Sequence, residues 1–213
     1  MTADDLLKFV NDTLFPTLKG LEVTPSTPMR STIVKTTFEG ANQYMKDGVL
    51  LRHVINVIDQ LDLGDNEESH AFGEIYESIL KEVQSAGSAG EFYTPRVLTD
   101  FMAEIINPKV GEKMGDFACG TGGFITSWLK ALDKKVQTAE DKEEYARSIY
   151  GIEKKQFPYM LCVTNVRLHD IDSPKVMHDK SLTRDVLHDT DEDKLNVVLM
   201  NPPYGGSEKN DIK

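Results

Sequence analysis

Asp116-Phe117-Ala118-Cys119-Gly120-Thr121-Gly122-Gly123-Phe124 is the stretch on which the fold turns. A short strand, Lys113 to Phe117, runs into it, and a helical pattern carrying Phe124, Ile125, Trp128, Leu129 and Leu132 leaves it. Glycines lack Cβ, so such a loop admits positive φ and lets a ligand sit against the backbone at the carboxyl end of a strand, where open α/β sheets bind. No Lys follows the glycines, which excludes a phosphate loop, and the third glycine of a dinucleotide fingerprint is replaced by Ile125. A purely structural turn would explain the glycines but not an acid, Asp116, at the strand end beside them.

Downstream, strands and helices alternate. A charged helix (Glu140 to Arg147), a strand (Ser148 to Ile152), a helix opening near Phe157-Pro158, a strand (Lys175 to His178) and an apolar strand (Leu195 to Met200) follow in order. Strands separated by helices predict a parallel sheet with crossover connections. Glu153, at the tip of the second strand, stands where a carboxylate accepts from both hydroxyls of a ribose.

Upstream, Thr94-Pro95 reads as an N-cap and a first helical position, Val97, Leu98, Phe101, Met102, Ile105 and Ile106 as one apolar face, and Asn107-Pro108 as a stop. Ser85-Ala86-Gly87-Ser88-Ala89-Gly90 is small and flexible, so residues 85–90 are expected to be a hinge. Residues 1–84 then form a helical N-terminal domain and 91–213 an α/β domain. Within the first, apolar stripes at Leu6 to Phe15, Val49 to Leu61 and Phe72 to Val83 predict three amphipathic helices, with a shorter one at Met29 to Phe38.

Asn201-Pro202-Pro203-Tyr204 follows the last apolar strand directly. Two prolines cannot continue a ladder, and they hold a rigid extended turn that leaves the Asn201 amide and the Pro202 carbonyl at the sheet edge. An aromatic amine is a poor nucleophile because its lone pair is delocalised into the ring; two acceptors on its N–H bonds favour a more tetrahedral, reactive nitrogen. Tyr204 can stack on the same ring.

The chain has 213 residues and a formal charge of −11, with 39% hydrophobic residues, a globular composition. That acidity argues against a free-standing nucleic-acid binder, which would need clustered Lys and Arg. No apolar run approaches the roughly 20 residues of a membrane span, and Asp4 and Asp5 stand where a signal peptide would be positive. Neither secretion nor a membrane is expected. The two cysteines, Cys119 and Cys162, and the five histidines lack metal-ligand spacing, so no metal is expected and a reducing cytoplasm fits.

The glycine loop and Asn201-Pro202-Pro203-Tyr204, in that order, resemble the S-adenosylmethionine-dependent methyltransferases that act on N6 of adenine. Gly90-Glu91-Phe92-Tyr93-Thr94-Pro95 before them, Phe72-Gly73-Glu74-Ile75-Tyr76-Glu77 further upstream and Gly205-Gly206 after Tyr204 are similar to modification (M) subunits of type I restriction-modification systems. The likeness covers most of residues 48–206. It implies a Rossmann-like methyltransferase sheet of about seven strands, of which about four fall within this chain, so the chain reads as the N-terminal part of a longer subunit. It further implies that S-adenosyl-L-methionine is the cofactor, with Asp116, Gly120 and Gly122 along its methionine and ribose. Glu153 would take the ribose hydroxyls, Phe92, Tyr93 and Thr94 would close over the methionine end, and Asp179 would stand near the adenine, where the family often has Asn. Asn201 and Pro202 would grip the target amine and Tyr204 would stack on an adenine flipped out of double-stranded DNA. Specificity and restriction subunits are the implied partners, the specificity subunit holding most of the DNA, and the helical part would dock partners or clamp DNA. Two other readings are an NPPY methyltransferase acting on protein glutamine or RNA, which Gly90 to Pro95 argues against, and an inactive truncated subunit that only docks.

Overall fold

The computed structural model describes residues 1–24, 27–60, 76, 94–183 and 190–203. The chain divides into two compact units, Met1–Glu74 and Ile75–Lys213. The expected hinge at 85–90 lies outside the described residues, as does the helix expected at Phe72 to Val83 apart from Tyr76, which is helical.

In the first unit, α1 (Ala3–Phe9) opens on a reciprocal cap between Thr2 and Asp5. A π-helical turn at Val10–Leu14 leads into α2 (Phe15–Lys19), the Phe15 N–H reaching back to the Val10 carbonyl. The widened turn lies just before Pro16, which has no N–H to give to the helical ladder. Then come α3 (Met29–Glu39) and α4 (Gly48–Ile58), the latter capped by Asp47, whose Oδ1 accepts from Val49 and Leu50. Helix α4 lies on α1 through the face of Gly48, Leu51 and Arg52; the Arg52 guanidinium donates to the Met1 and Thr2 carbonyls at 2.6 and 2.9 Å. The apolar stripe expected on α4 is therefore only partly inward. Leu51 is buried, whereas Val49, Leu50, Val54, Ile55 and Ile58 are exposed, because the close contact runs through the glycine. Phe15 meets Phe38 edge-on at 5.2 Å, joining α2 to α3.

The second unit is built on a parallel four-stranded sheet of order β3-β2-β1-β4. Its strands are β1 (Met114–Asp116), β2 (Ile149–Glu153), β3 (Val176–His178) and β4 (Val197–Val198). Met114 pairs with Ile149 on one side and Val197 on the other, and Glu153 pairs with His178. The fourth strand is shorter than Leu195 to Met200, although Leu199 still donates to the Gly115 carbonyl. The order reverses at β1, so β1 and β4 flank the switch point of an open α/β sheet.

Four described helices support this sheet: α5 (Arg96–Ile106), α6 (Gly123–Asp133), α7 (Ala139–Arg147) and α8 (Gln156–Arg167). Helix α6 is buried on most sides; Ile125, Trp128, Leu129 and Leu132 are fully enclosed, and it packs on α5, α7, α8 and β1. Each such side chain contributes roughly 1.5–3 kcal/mol on burial. Helix α8 packs on β2 and β3, with Pro158 in its first turn, where its missing N–H leaves no bond unmade. Helix α7 is capped reciprocally by Thr138 and Asp141.

Helix α5 departs from the expectation at two points. Its N-cap is Pro95 and the Thr94 hydroxyl makes no cap bond, while its C-cap Asn107 takes the left-handed conformation ahead of Pro108, as the stop signal required. Its buried face is small: Thr99 and Ala103 lie against α6, with Ser127 Oγ donating to Asp100 at 2.5 Å and lying 2.8 Å from the Thr99 hydroxyl. Val97, Leu98, Phe101 and Ile105 are exposed, because small residues let the two helices approach and turn the larger ones outward.

Candidate active site

Asp116 ends β1 and is 1% exposed, its Oδ1 accepting the Ala118 N–H at 3.1 Å. Burial pushes its carboxyl up to about 7 against that hydrogen bond, and the nearby Glu153 charge pushes the same way. A carboxylate so enclosed is suited to a cationic partner, whose charge would offset the cost of ionising it.

The loop beyond Asp116 is held from three sides. The Cys119 N–H donates to the Ile152 carbonyl on β2, and Gly122 donates back to Cys119. Glu153 Oε2 accepts the Gly120 N–H at 2.8 Å while its Oε1 accepts from Lys155 at 2.7 Å. From α8, Asn165 donates to the Thr121 carbonyl, and Cys162 places its sulfur 3.7 Å from that of Cys119. Both cysteines are buried free thiols; hydrogen bonding to Cys162 and burial hold Cys119 well above the usual thiol range. Gly120 and Gly122 have positive φ, and a Cβ on Gly122 would come within 2.9 Å of Cys162 Sγ. Gly122 is thus required by backbone conformation and by close approach to α8.

Gly122 is also the N-cap of α6 and has no side chain to cap it. On α5, Arg96 Nη1 donates to Thr126 Oγ1 at 2.7 Å and lies beside Gly123. Asp179 follows β3 and is exposed; its N–H donates to the Glu153 carbonyl and its Oδ1 accepts from Lys180. At the neighbouring strand end, Asn201 is half-buried and Pro202 exposed. The Asn201 side-chain Nδ2 donates to Thr94 Oγ1 at 3.1 Å.

Asp116, Gly120, Gly122 and Glu153 are therefore gathered at the carboxyl ends of β1 and β2, with Asp179 joined to Glu153 through its backbone. Asn201 and Thr94 meet beyond β4. Phe92, Tyr93 and Tyr204 lie outside the described residues. Cys162 and Asn165, on one face of α8, were missed as loop supports; the signal was a Cys and an Asn at i, i+3 on a helix that follows a sheet strand. No group of three or more His, Cys, Asp or Glu residues suited to a metal occurs among the described residues. None of the described helices is long and apolar enough to cross a membrane.

Residues 67–213 match the N-6 DNA methylase family. The chain belongs to that family. It is 48% identical over 215 residues to the EcoEI type I restriction enzyme methylase subunit of Escherichia coli, covering 100% of this chain and 44% of that protein. The MpnII type I methylase subunit of Mycoplasma pneumoniae is 30% identical, over 76% of this chain and 31% of that one. Among solved structures, a chain from a study of complex assembly and conformational transition in a type I restriction-modification system superposes with TM-score 0.88 and 31% identity, covering 100% of this chain and 43% of that chain. A modification subunit ascribed to a type I restriction enzyme of Vibrio vulnificus YJ016 gives TM-score 0.75 and 37% identity, over 93% and 41%. The present chain thus spans less than half the length of each of these four. The Rossmann-like methyltransferase sheet with preceding helices, expected from the sequence, is the fold these neighbours share.

Proposed function

We propose that this chain carries the cofactor-binding and amine-gripping part of a DNA adenine-N6 methyltransferase subunit of a type I restriction-modification complex. The observation that carries it is the strand order: β1 and β4 are neighbours, so the glycine loop with its buried acid and the Asn201-Pro202 turn emerge side by side at one sheet edge.

S-adenosylmethionine, when bound, supplies a methyl group activated on a cationic sulfonium. The donor set suits it. Asp116 offers a buried carboxyl that a cation beside it would hold ionised, Gly120 and Gly122 leave backbone without side chains, and the Glu153 carboxylate, already accepting two backbone bonds, has further lone pairs for a ribose diol. Phe92, Tyr93 and Thr94 close over the methionine end in this reading, and Asp179 lies near the cofactor's adenine. Asn201 and the Pro202 carbonyl accept from the target amine, and Tyr204 stacks on the flipped base. These residues work by alignment of an in-line displacement, for which no titrating base is needed.

A net charge of −11 fits a chain whose double-stranded DNA is held mainly by a specificity subunit. Residues 1–84 would then be a helical region that docks specificity and restriction partners, joined through a hinge at 85–90 in a cytoplasmic complex. Calorimetric titration of S-adenosylmethionine into the chain, beside Asp116→Ala, tests the reading. Saturable binding lost in the variant is expected; a chain folded by circular dichroism that binds no cofactor would overturn it.

A further inference from the structure

The chain has two cysteines in 213 residues, and the fold brings both to the glycine loop. Cys119 lies in the loop, Cys162 lies 43 positions further on in α8, and their sulfurs stand 3.7 Å apart. We propose that this pair is an oxidisable dithiol, a modification site for small disulfides, whose closure into a Cys119–Cys162 disulfide draws the loop onto α8 and weakens cofactor binding. The link to the cofactor rests on the S-adenosylmethionine reading above; the disulfide itself does not.

A disulfide sets its sulfurs about 2.05 Å apart, so closure contracts the pair. The contraction falls on the loop rather than on the helix. Cys162 is fully enclosed within α8, with Tyr159, Val163, Asn165 and Val166 buried around it, whereas Cys119 belongs to a turn carrying the positive-φ glycines Gly120 and Gly122. Gly122 leaves no slack to absorb the movement, since even a Cβ there would lie 2.9 Å from Cys162 Sγ. Cys119 therefore moves, and Gly120, the next residue, moves with it. The Gly120 N–H is the one that Glu153 Oε2 accepts at 2.8 Å. Closure thus pulls the loop backbone away from the carboxylate assigned to the ribose diol, at the two glycines assigned to the cofactor.

The exchange balances in two steps. One cysteine thiolate attacks a sulfur of the small disulfide, forming a mixed disulfide and expelling one thiolate. The second cysteine thiolate attacks the protein sulfur of that bond, forming the internal disulfide and expelling the other. The two cysteine protons pass to the two leaving thiolates; the dithiol loses two electrons and the reagent gains them. In the closed loop this is held back, because hydrogen bonding to Cys162 and burial keep Cys119 well above the usual thiol range, and only a thiolate attacks. The exchange waits on local opening of the loop. The bonds of Cys119 to Ile152, Gly120 to Glu153 and Asn165 to Thr121 resist that opening, and a bound cofactor resists it further.

The test incubates the whole chain with glutathione disulfide, with and without S-adenosylhomocysteine. Expected are loss of both thiols, a mass lower by two hydrogens, a cross-linked peptide joining Cys119 to Cys162, a retained folded signal in circular dichroism, and reversal by dithiothreitol. S-adenosylhomocysteine should slow the oxidation, and calorimetry should show it binding the oxidised chain about tenfold more weakly than the reduced one. By linkage, the same factor at saturating ligand raises the reduction potential of the pair by about 30 mV. Cys162→Ala should bind S-adenosylhomocysteine equally before and after the treatment; a drop there would trace the effect to an adduct on Cys119 and overturn the proposal. Two retained thiols, a glutathione adduct in place of the internal bond, or closure only with loss of the folded signal would each overturn it, as would equal affinity of the reduced and oxidised chains. A reduced chain that binds no S-adenosylhomocysteine would sink the methyltransferase reading and the cofactor link with it, and the thiol count would still report whether the pair closes.

Discussion

Glu153, the last residue of β2, accepts the Gly120 N–H at 2.8 Å through Oε2 and the Lys155 N–H at 2.7 Å through Oε1, so one carboxylate pins the loop after β1 and the turn after β2. Glu153→Gln keeps the length but offers one acceptor and one donor in place of two acceptors. One backbone N–H then faces an NH2 group, at a cost of about 1–3 kcal/mol. Urea unfolding should show that loss, and calorimetry should show cofactor affinity falling at least about tenfold. Unchanged stability in Glu153→Gln would mean that the two backbone bonds contribute nothing to holding the loop.

Asp116 sets a pH dependence whose sign is fixed by the environment of its carboxyl. That carboxyl is raised from 3.8 to about 7 in the folded chain, chiefly by burial, so folding favours the protonated form. Its stabilising contribution is fully present below pH 3.8 and is lost as pH rises through about 7, where the buried group must ionise. Asp116→Asn keeps an acceptor for Ala118 and removes the charge. The variant should be more stable than wild type at pH 8 and close to it at pH 4, each tenfold change in the acid's ionisation constant on folding being worth about 1.4 kcal/mol. Thermal unfolding of both proteins at the two pH values checks this, and parallel curves would contradict it.

Gly111 and Gly122 provide a matched pair. Both have φ near the same positive value, +89° and +84°, but a Cβ on Gly111 meets nothing within 4 Å whereas one on Gly122 meets Cys162 Sγ at 2.9 Å. Gly111→Ala should cost only the backbone strain, roughly 1–2 kcal/mol, with cofactor affinity unchanged. Gly122→Ala should add about 1–3 kcal/mol of overpacking against α8 and weaken cofactor binding. Equal unfolding midpoints for the two variants would show that the contact with Cys162 is slack.

Much of this sheet was legible because its signals are local. Asp116 to Phe124 announces a strand, a turn and a helix within one short segment, and Asn107-Pro108 ends α5 where its left-handed cap appears. The loop's supports were not legible. Cys162 and Asn165 are ordinary helical residues until the sheet order brings α8 under Thr121 and Gly122, and Thr94 reads as a helix cap until β4 brings Asn201 to it. The faces of α4 and α5 were misjudged for a related reason. Hydrophobic periodicity locates a helix, but Gly48 and the Thr99-Ala103 pair show that the closest contacts use the smallest residues, which carry no hydrophobic signal.

Gly48 is where that last point can be measured. It is the first residue of α4, and a Cβ there would lie 2.2 Å from the Ala3 carbonyl oxygen and 2.5 Å from its carbon. Both are backbone atoms of α1, whose first turn is fixed by the Thr2–Asp5 cap and by Arg52 on the Met1 and Thr2 carbonyls. Helix propensity alone favours Ala over Gly by up to about 1 kcal/mol in a helix interior, and by less at its first position. The clash opposes it, and relieving it requires α1 and α4 to separate, with overpacking costs of about 1–3 kcal/mol and loss of the Arg52 bonds. Gly48→Ala should therefore lower the unfolding midpoint of the Met1–Glu74 unit despite the better propensity, with Arg52→Ala lowering it further only while the contact is intact. A double-mutant cycle read by denaturant unfolding separates the two: strong coupling is expected, and simple additivity would show that α1 moves aside without losing the Arg52 contacts.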